Sequence, residues 1–99
     1  MRESKIERKL TEQVEEIGGE CWKFISPARS GVPDRIVMMP MQRIWFVETK
    51  APKGELSALQ KFIRGVLQRL GFHYRVIGTM EDVDAFIDAI SSPEPSHIP

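Results

Sequence analysis

Apolar residues recur along the chain with two periods, one typical of helices and one typical of strands. In the first segment the helical spacing is set by Ile6, Leu10, Val14 and Ile17. The Ser-x-x-Glu sequence from Ser4 to Glu7 is typical of a capping box, in which each side chain bonds the backbone amide of the other residue. Gly18 and Gly19 follow the last apolar position. The pattern therefore predicts a helix between Ser4 and Gly18.

Three short apolar runs follow, separated by turn-forming residues. They span residues 20–25, 34–39 and 44–50, which are lengths typical of strands. A loop rich in serine, glycine and proline joins the first two runs, and Pro40-Met41-Gln42 is short enough to make a hairpin of the second and third. We expect these three strands to form an antiparallel meander.

The rest of the chain alternates helix, strand and helix. A second box, from Ser57 to Gln60, precedes apolar residues at helical spacing, and Gly71 ends that helix. Residues 72–77 predict a fourth strand, and Thr79 caps a last helix. Because a helix joins strands three and four, we expect these two strands to be parallel. The predicted fold class is α/β, a four-stranded mixed sheet flanked by helices in the order αβββαβ, with a final helix.

Length and composition indicate a single small domain without a dominant charge. We expect the 99 residues to form one domain at 1–91, followed by a flexible tail at 92–99 that carries three of the seven prolines. Fourteen basic and 14 acidic residues cancel, so only a local cluster could bind a polyanion. The one cysteine, Cys21, excludes an internal disulfide and a cysteine-based zinc cluster, and is expected to pack. No apolar run spans a membrane, and a cytoplasmic location is expected.

Two acidic residues are predicted to meet at one edge of the sheet. Asp34 opens the second strand and Glu48 lies near the end of the third, so an antiparallel hairpin brings the two carboxylates together. Glu48 and Lys50 are two residues apart and share a face. Two carboxylates with a strand carbonyl, that of Thr49, make an oxygen site suited to Mg²⁺ or Mn²⁺. The alternative from spacing alone is a salt bridge between Glu48 and Lys50.

The motifs around these residues resemble the VRR-Nuc branch of the PD-(D/E)XK nuclease superfamily. The matching sequences are Gly31-Val32-Pro33-Asp34, Glu48-Thr49-Lys50, and Gly54-Glu55-Leu56-Ser57 followed by Gln60. The predicted αβββαβ order is similar to the core of that superfamily. The resemblance extends over residues 4–78, nearly the whole domain.

The resemblance implies a role for each matching residue. Asp34 and Glu48 would bind the metal with the Thr49 carbonyl, and Lys50 would be the catalytic lysine. Glu7 would be a catalytic acidic residue near the metal and a further ligand, with simple helix capping as its alternative. Gln60 would be a catalytic residue facing the site, and its alternative is also capping.

Basic residues around the same edge are candidates for contacting DNA phosphates. Together with Ser30, the predicted DNA-binding residues are Arg29, Arg35, Lys53, Lys61 and Arg75, with Lys23 and Arg64 as further candidates. Their alternative is ordinary solvated surface charge. The sequence contains no base-reading motif, which favours recognition of DNA structure rather than of base sequence.

The resemblance implies a Mg²⁺- or Mn²⁺-dependent endonuclease that cuts branched DNA such as Holliday junctions. Stand-alone members of the family resemble junction-resolving homodimers, so we expect a homodimer. Candidates for the twofold contact are Trp22, Trp45 and the last helix with Phe86 and Ile90, unless these residues fill the monomer core. Two alternatives stay open: a flap, nick or general DNA endonuclease, and a non-catalytic DNA-binding subunit of a repair or restriction assembly.

Overall fold

Residues 4–51 and 54–91, the part of the chain that the computed structural model describes, form three helices and four strands. Their order is α1 (Lys5–Glu16), β1 (Glu20–Lys23), β2 (Arg35–Met39), β3 (Arg43–Thr49), α2 (Ala58–Arg69), β4 (His73–Ile77) and α3 (Met80–Ser91). The predicted order is confirmed, with element ends that differ by one or two residues. Lys53 and the predicted tail at 92–99 lie outside the described residues.

The four strands form one mixed sheet in the order β1-β2-β3-β4. Residues 40–42 make the predicted hairpin, and β1, β2 and β3 pair antiparallel. The crossover through α2 then places β4 parallel to β3, with Trp45 beside His73. The mixed sheet predicted from the order of elements is therefore confirmed.

The main core lies between one face of the sheet and the pair α1 and α3. Its buried residues include Leu10 and Val14 from α1, Val37, Trp45, Val47 and Ile77 from the sheet, and Val83, Phe86 and Ile90 from α3. Trp45 is only 7% exposed, and Phe86 and Ile90 are fully buried. These three candidates for a twofold contact therefore fill the monomer core, as their alternative anticipated. Trp22 remains exposed.

Helix α2 covers the opposite face of the sheet only in part. Ile63 is its one buried apolar residue, while Leu59 and Phe62 remain exposed. A groove of about 480 Å³ runs between α2 and the sheet, lined by Phe24, Phe46, Val66 and Leu67 among others. Alternation along β3 thus points Trp45 and Val47 into the main core, and Phe46 and Glu48 toward α2.

Helices α1 and α2 both begin at the predicted capping boxes. The Glu7 backbone N–H donates to Ser4 Oγ at 3.1 Å, and the Ser4 N–H donates to Glu7 Oε1 at 2.9 Å. Ser57 and Gln60 repeat the same two bonds at 3.1 and 2.9 Å. The capping alternatives for Glu7 and Gln60 are therefore confirmed. Both side chains also contact residues beside Asp34 or Glu48, as described below.

Gly31 holds the loop before β2 against α2. Its φ of +85° is in the left-handed region that favours glycine. A Cβ at this position would lie 2.7 Å from Leu59 Cγ, so a side chain would push the loop away from the helix. The glycine of the Gly-Val-Pro-Asp motif therefore fixes the path of the chain that leads to Asp34.

None of the helices within residues 4–51 and 54–91 has the length and apolar character needed to cross a bilayer.

Candidate active site

Asp34 and Glu48 meet at the edge of the sheet where β2 begins and β3 ends. In the register of these strands Arg35 faces Val47, and one further step places Asp34 opposite Glu48. Glu48 is only 6% exposed. The juxtaposition that the hairpin predicts is therefore present, with one of its two carboxylates buried.

Thr49 fixes the orientation of the Asp34 carboxylate. Its backbone N–H donates to Asp34 Oδ1 at 2.9 Å, and its hydroxyl donates to Asp34 Oδ2. The same hydroxyl lies 3.4 Å from Glu7 Oε2. The sequence analysis assigned Thr49 only a carbonyl and missed its side chain. The sequence did contain an indication of this contact. Thr49 is polar, although Trp45 and Val47, which share its face of β3, point into the core.

We expect Thr49→Val to slow DNA cleavage by about tenfold, the lower end of what loss of a second-layer contact to a metal ligand costs. Valine keeps the branched shape and the backbone N–H but removes the hydroxyl that Asp34 and Glu7 share. The measurement is a single-turnover cleavage rate, with thermal unfolding as the test that the fold is retained. A Thr49→Ser variant keeps the hydroxyl and serves as the matched control. An unchanged rate in Thr49→Val would show that the backbone N–H alone positions Asp34.

Glu7 joins the first helix cap to the site. While Oε1 accepts the Ser4 N–H, Oε2 lies 3.4 Å from Arg35 Nη2. Burial by itself would raise the pKa of Glu7, but the hydrogen bonds from Ser4 and the charge of Arg35 outweigh it and hold the pKa below its ordinary value. The ionised form of Glu7 is therefore favoured, and its Oε2 lies 3.4 Å from the Thr49 hydroxyl that donates to Asp34.

Glu48 has the opposite electrostatic environment. Burial, followed by the nearby charge of Asp34, raises the pKa of Glu48 to about 7, and Lys50 partly opposes this rise. Gln60 Nε2 donates to Glu48 Oε2 at 3.2 Å. Within residues 4–51 and 54–91, Glu48 Oε1 is buried and has no hydrogen-bond partner. The carboxylate is thus oriented through one oxygen and unsatisfied at the other.

Gln60 caps the start of α2 in the same way that Glu7 caps the start of α1. Its Oε1 accepts the Ser57 N–H at the helix start, which turns the amide nitrogen toward Glu48. Each helix therefore begins with a Ser-x-x-Glu/Gln box. The third helical residue of α1, Glu7, lies beside Thr49, which holds Asp34, and the third helical residue of α2, Gln60, contacts Glu48. The predicted placement of Glu7 and Gln60 near the two carboxylates agrees with this geometry.

Lys50 lies just beyond the end of β3, where its backbone N–H donates to the Ile77 carbonyl at 2.8 Å. It lines a cleft of about 360 Å³ together with Ser4, Ile6, Glu7, Thr49 and Ala51. No close ion pair joins Lys50 to Glu48 in the described residues, although its charge acts on the Glu48 pKa. The simple salt-bridge alternative is therefore not what the structure shows.

Two of the predicted phosphate contacts are engaged by other residues of the protein. Arg35 is only 4% exposed and pairs with Glu7, so it organises the site from within and does not meet solvent. The Arg75 guanidinium lies over the Phe86 ring, 5.3 Å from its centroid, on the face of the sheet away from Glu48. Arg29, Ser30 and Lys61 are exposed, as a contact with DNA requires.

The residues at this edge fit a hard divalent cation. Two carboxylates lie together, and the buried Glu48 oxygen lacks a partner, an arrangement that a cation would stabilise. No group of three or more acidic, histidine or cysteine residues suited to a metal occurs within the described ranges. The available donors are therefore two carboxylates supplemented by backbone oxygen and water, the set that Mg²⁺ uses with nucleic acid substrates.

Comparisons with known proteins agree over most of the chain. Residues 2–81 match the VRR-NUC domain family. A protein of Acyrthosiphon pisum secondary endosymbiont phage 1, named Putative nuclease p44, is 38% identical over 91 residues, which are 92% of this chain and 97% of that protein. A solved structure described as a VRR_NUC domain has a TM-score of 0.80 and 29% identity, and the match covers 86% of this chain and 92% of that one.

Proposed function

The chain belongs to the VRR-NUC domain family and is a nuclease, and we propose that it is a Mg²⁺- or Mn²⁺-dependent endonuclease that hydrolyses phosphodiester bonds in branched DNA, Holliday junctions above all. The observation that carries the metal dependence is the buried, unpartnered oxygen of Glu48 beside Asp34. Two adjacent carboxylates repel DNA phosphate unless a cation lies between them.

Asp34 and Glu48 would hold the cation, with the Thr49 carbonyl as the expected backbone ligand. When bound, the metal would supply Lewis-acid activation of a phosphate oxygen and a water of lowered pKa. The chain's own residues prepare the ligands: Thr49 holds Asp34 through two hydrogen bonds, and Gln60 holds Glu48 through one. Such preorganisation avoids the cost of ordering the ligands during the reaction.

Lys50 is a positively charged residue placed beside the two carboxylates. It lines the cleft beside Glu7 and Thr49 and lies near enough to Glu48 to affect its pKa. An ammonium group there offsets the negative charge that develops on the phosphate as the nucleophile attacks. It also orients a water molecule by hydrogen bonding.

Two features favour recognition of DNA structure rather than of base sequence. Arg29 and Lys61 are exposed for phosphate contacts, and no described element has the form of a base-reading helix or zinc knuckle. A homodimer would bring two such sites to two strands of one junction. Phe62, which is 61% exposed on α2 beside the apolar groove, offers a surface for the second copy now that Trp45, Phe86 and Ile90 are placed in the core.

The test of this proposal is cleavage of a labelled four-way junction beside duplex, flap, nicked and single-stranded DNA. Each substrate is incubated with Mg²⁺, Mn²⁺ or chelator, and the solution mass is measured on the same sample. We expect paired, symmetric cuts in the junction by a dimer, only with divalent cation, and a loss of about 100-fold or more in Lys50→Ala. Cleavage of flap or duplex DNA without cleavage of the junction would show a general endonuclease activity instead of a junction-specific one. Equal rates in chelator would rule out the metal mechanism.

A further inference from the structure

Tyr74 on β4 carries a buried hydroxyl that none of the described residues satisfies. A phenol hydroxyl without a partner inside a protein costs free energy, and most buried polar groups in folded proteins have a hydrogen-bond partner or an ordered water molecule. Burial, followed by the charge of Glu48, raises the pKa of Tyr74 to about 12, so the hydroxyl keeps its proton. It is therefore a hydrogen-bond donor whose acceptor has to be found.

The register of the sheet places Tyr74 on the same face as Glu48. Phe46 pairs with Tyr74 and Glu48 pairs with Val76 in the parallel strands β3 and β4. Neighbouring strands are about 4.8 Å apart and two residues rise by about 6.6 Å, so the Cα atoms of Glu48 and Tyr74 are separated by about 8 Å. Both side chains project from the same face of the sheet, and the Tyr74 hydroxyl lies near enough to Glu48 for that charge to act on it.

The other polar groups near Tyr74 are already engaged or have no acceptor to offer. Asp34, whose charge also raises the Tyr74 pKa, accepts from Thr49 at both carboxylate oxygens. Arg64 lies near enough to lower the Tyr74 pKa, but a guanidinium has only donors. The Gln60 carbonyl oxygen already accepts the Ser57 N–H at 2.9 Å. Among the described residues, two other buried oxygens lack a hydrogen-bond partner, Thr11 Oγ1 and Glu48 Oε1. Thr11 belongs to α1, which packs on the opposite face of the sheet, so Glu48 Oε1 is the acceptor on the Tyr74 face.

We infer that Tyr74 is a positioning residue of the active site, whose hydroxyl donates a hydrogen bond to Glu48 through one bridging water molecule. Gln60 holds one oxygen of Glu48 from the helix side, and Tyr74 acts on the carboxylate from the neighbouring strand. The two donors together fix the plane of the carboxylate. The inference rests on the proposed function, because it assumes that Glu48 binds the catalytic cation.

Tyr74 is the only tyrosine in the chain, which allows the contact to be observed directly. Protein labelled with ¹³C at the tyrosine ζ carbon gives one NMR signal, whose chemical shift reports hydrogen bonding of the phenol. In metal-free protein without DNA we expect this signal to move in Glu48→Gln and to stay in place in Glu15→Gln, a control on the exposed side of α1. Addition of Mg²⁺ should move it in wild type.

Tyr74→Phe removes only the hydroxyl, so it separates positioning from packing. We expect cleavage at saturating DNA to fall by about tenfold with KM unchanged, and Mg²⁺ affinity measured by calorimetry to fall by a similar factor. If Tyr74→Phe cleaves DNA and binds Mg²⁺ like wild type, the inference is overturned. A ¹³C chemical shift that stays the same in Glu48→Gln would overturn the inference as well. If wild type cuts none of the DNA substrates, the proposed function fails, while the NMR comparison still decides the contact.

Discussion

Replacing Glu48 by glutamine is expected to lower the rate of DNA cleavage by on the order of 10³-fold while DNA binding is retained. The amide has the size of the carboxylate and keeps an oxygen for the Gln60 amide, which donates to Glu48 Oε2 at 3.2 Å. It lacks the negative charge that would hold a divalent cation beside Asp34. The measurement is a single-turnover rate on a labelled junction in Mg²⁺, with binding followed by gel shift in chelator.

The matched control for this loss is Glu15→Gln, the same chemical change at an exposed position of α1. It should cleave like wild type. Asp34→Asn should resemble Glu48→Gln, because both carboxylates serve one site. Binding of DNA in chelator should be equal or tighter in both variants, since each removes a negative charge near phosphate. Full activity of Glu48→Gln would mean that the cation is held elsewhere.

The same substitution is expected to make the metal-free protein more stable at alkaline pH. The folded protein raises the pKa of Glu48 to about 7 from an ordinary value of 4.5. Each pKa unit corresponds to about 1.4 kcal/mol, so ionising this carboxyl in the folded state costs about 3 kcal/mol in total. Glutamine avoids that cost and fits the same space. The free energy of unfolding at pH 8 should therefore be higher in Glu48→Gln by up to about 3 kcal/mol.

The sign of the pH dependence follows from proton binding. Between pH 4.5 and about 7 the folded protein holds a proton on Glu48 that the unfolded chain releases. The contribution of Glu48 to stability is thus fully present below pH 4.5 and is lost as pH rises through 7. Glu7, whose pKa is lowered, contributes in the opposite direction and only as pH falls below its ordinary range.

Denaturant unfolding of wild type and Glu48→Gln from pH 4.5 to pH 8 isolates the effect, because other titrations cancel in the difference. We expect the two stabilities to diverge as pH rises. Mg²⁺ at pH 8 should then recover stability in wild type alone, by about 2.7 kcal/mol at a concentration 100 times its Kd. Parallel curves, or recovery in the variant as well, would show that Glu48 is not the strained metal ligand.

The hydrophobic pattern and the turn residues determined the fold of this chain. Helical spacing after each Ser-x-x-Glu/Gln box located α1 and α2, and the short turn at 40–42 specified the hairpin that brings Asp34 to Glu48. These features are local in sequence, because capping and turn formation involve residues only three or four apart.

Tertiary structure alone decided what the polar residues do. Arg35 could be read as a DNA contact, yet packing of α1 against the sheet buries it beside Glu7. Whether Trp45 and Phe86 met solvent or the core depended on the position of α3, which no local pattern specifies. The contact between Thr49 and Asp34, and the role that we infer for Tyr74, depend on how β2, β3 and β4 bring together side chains from distant parts of the chain. Secondary structure follows from neighbours in sequence, whereas hydrogen bonding and burial of a charged group depend on neighbours in space.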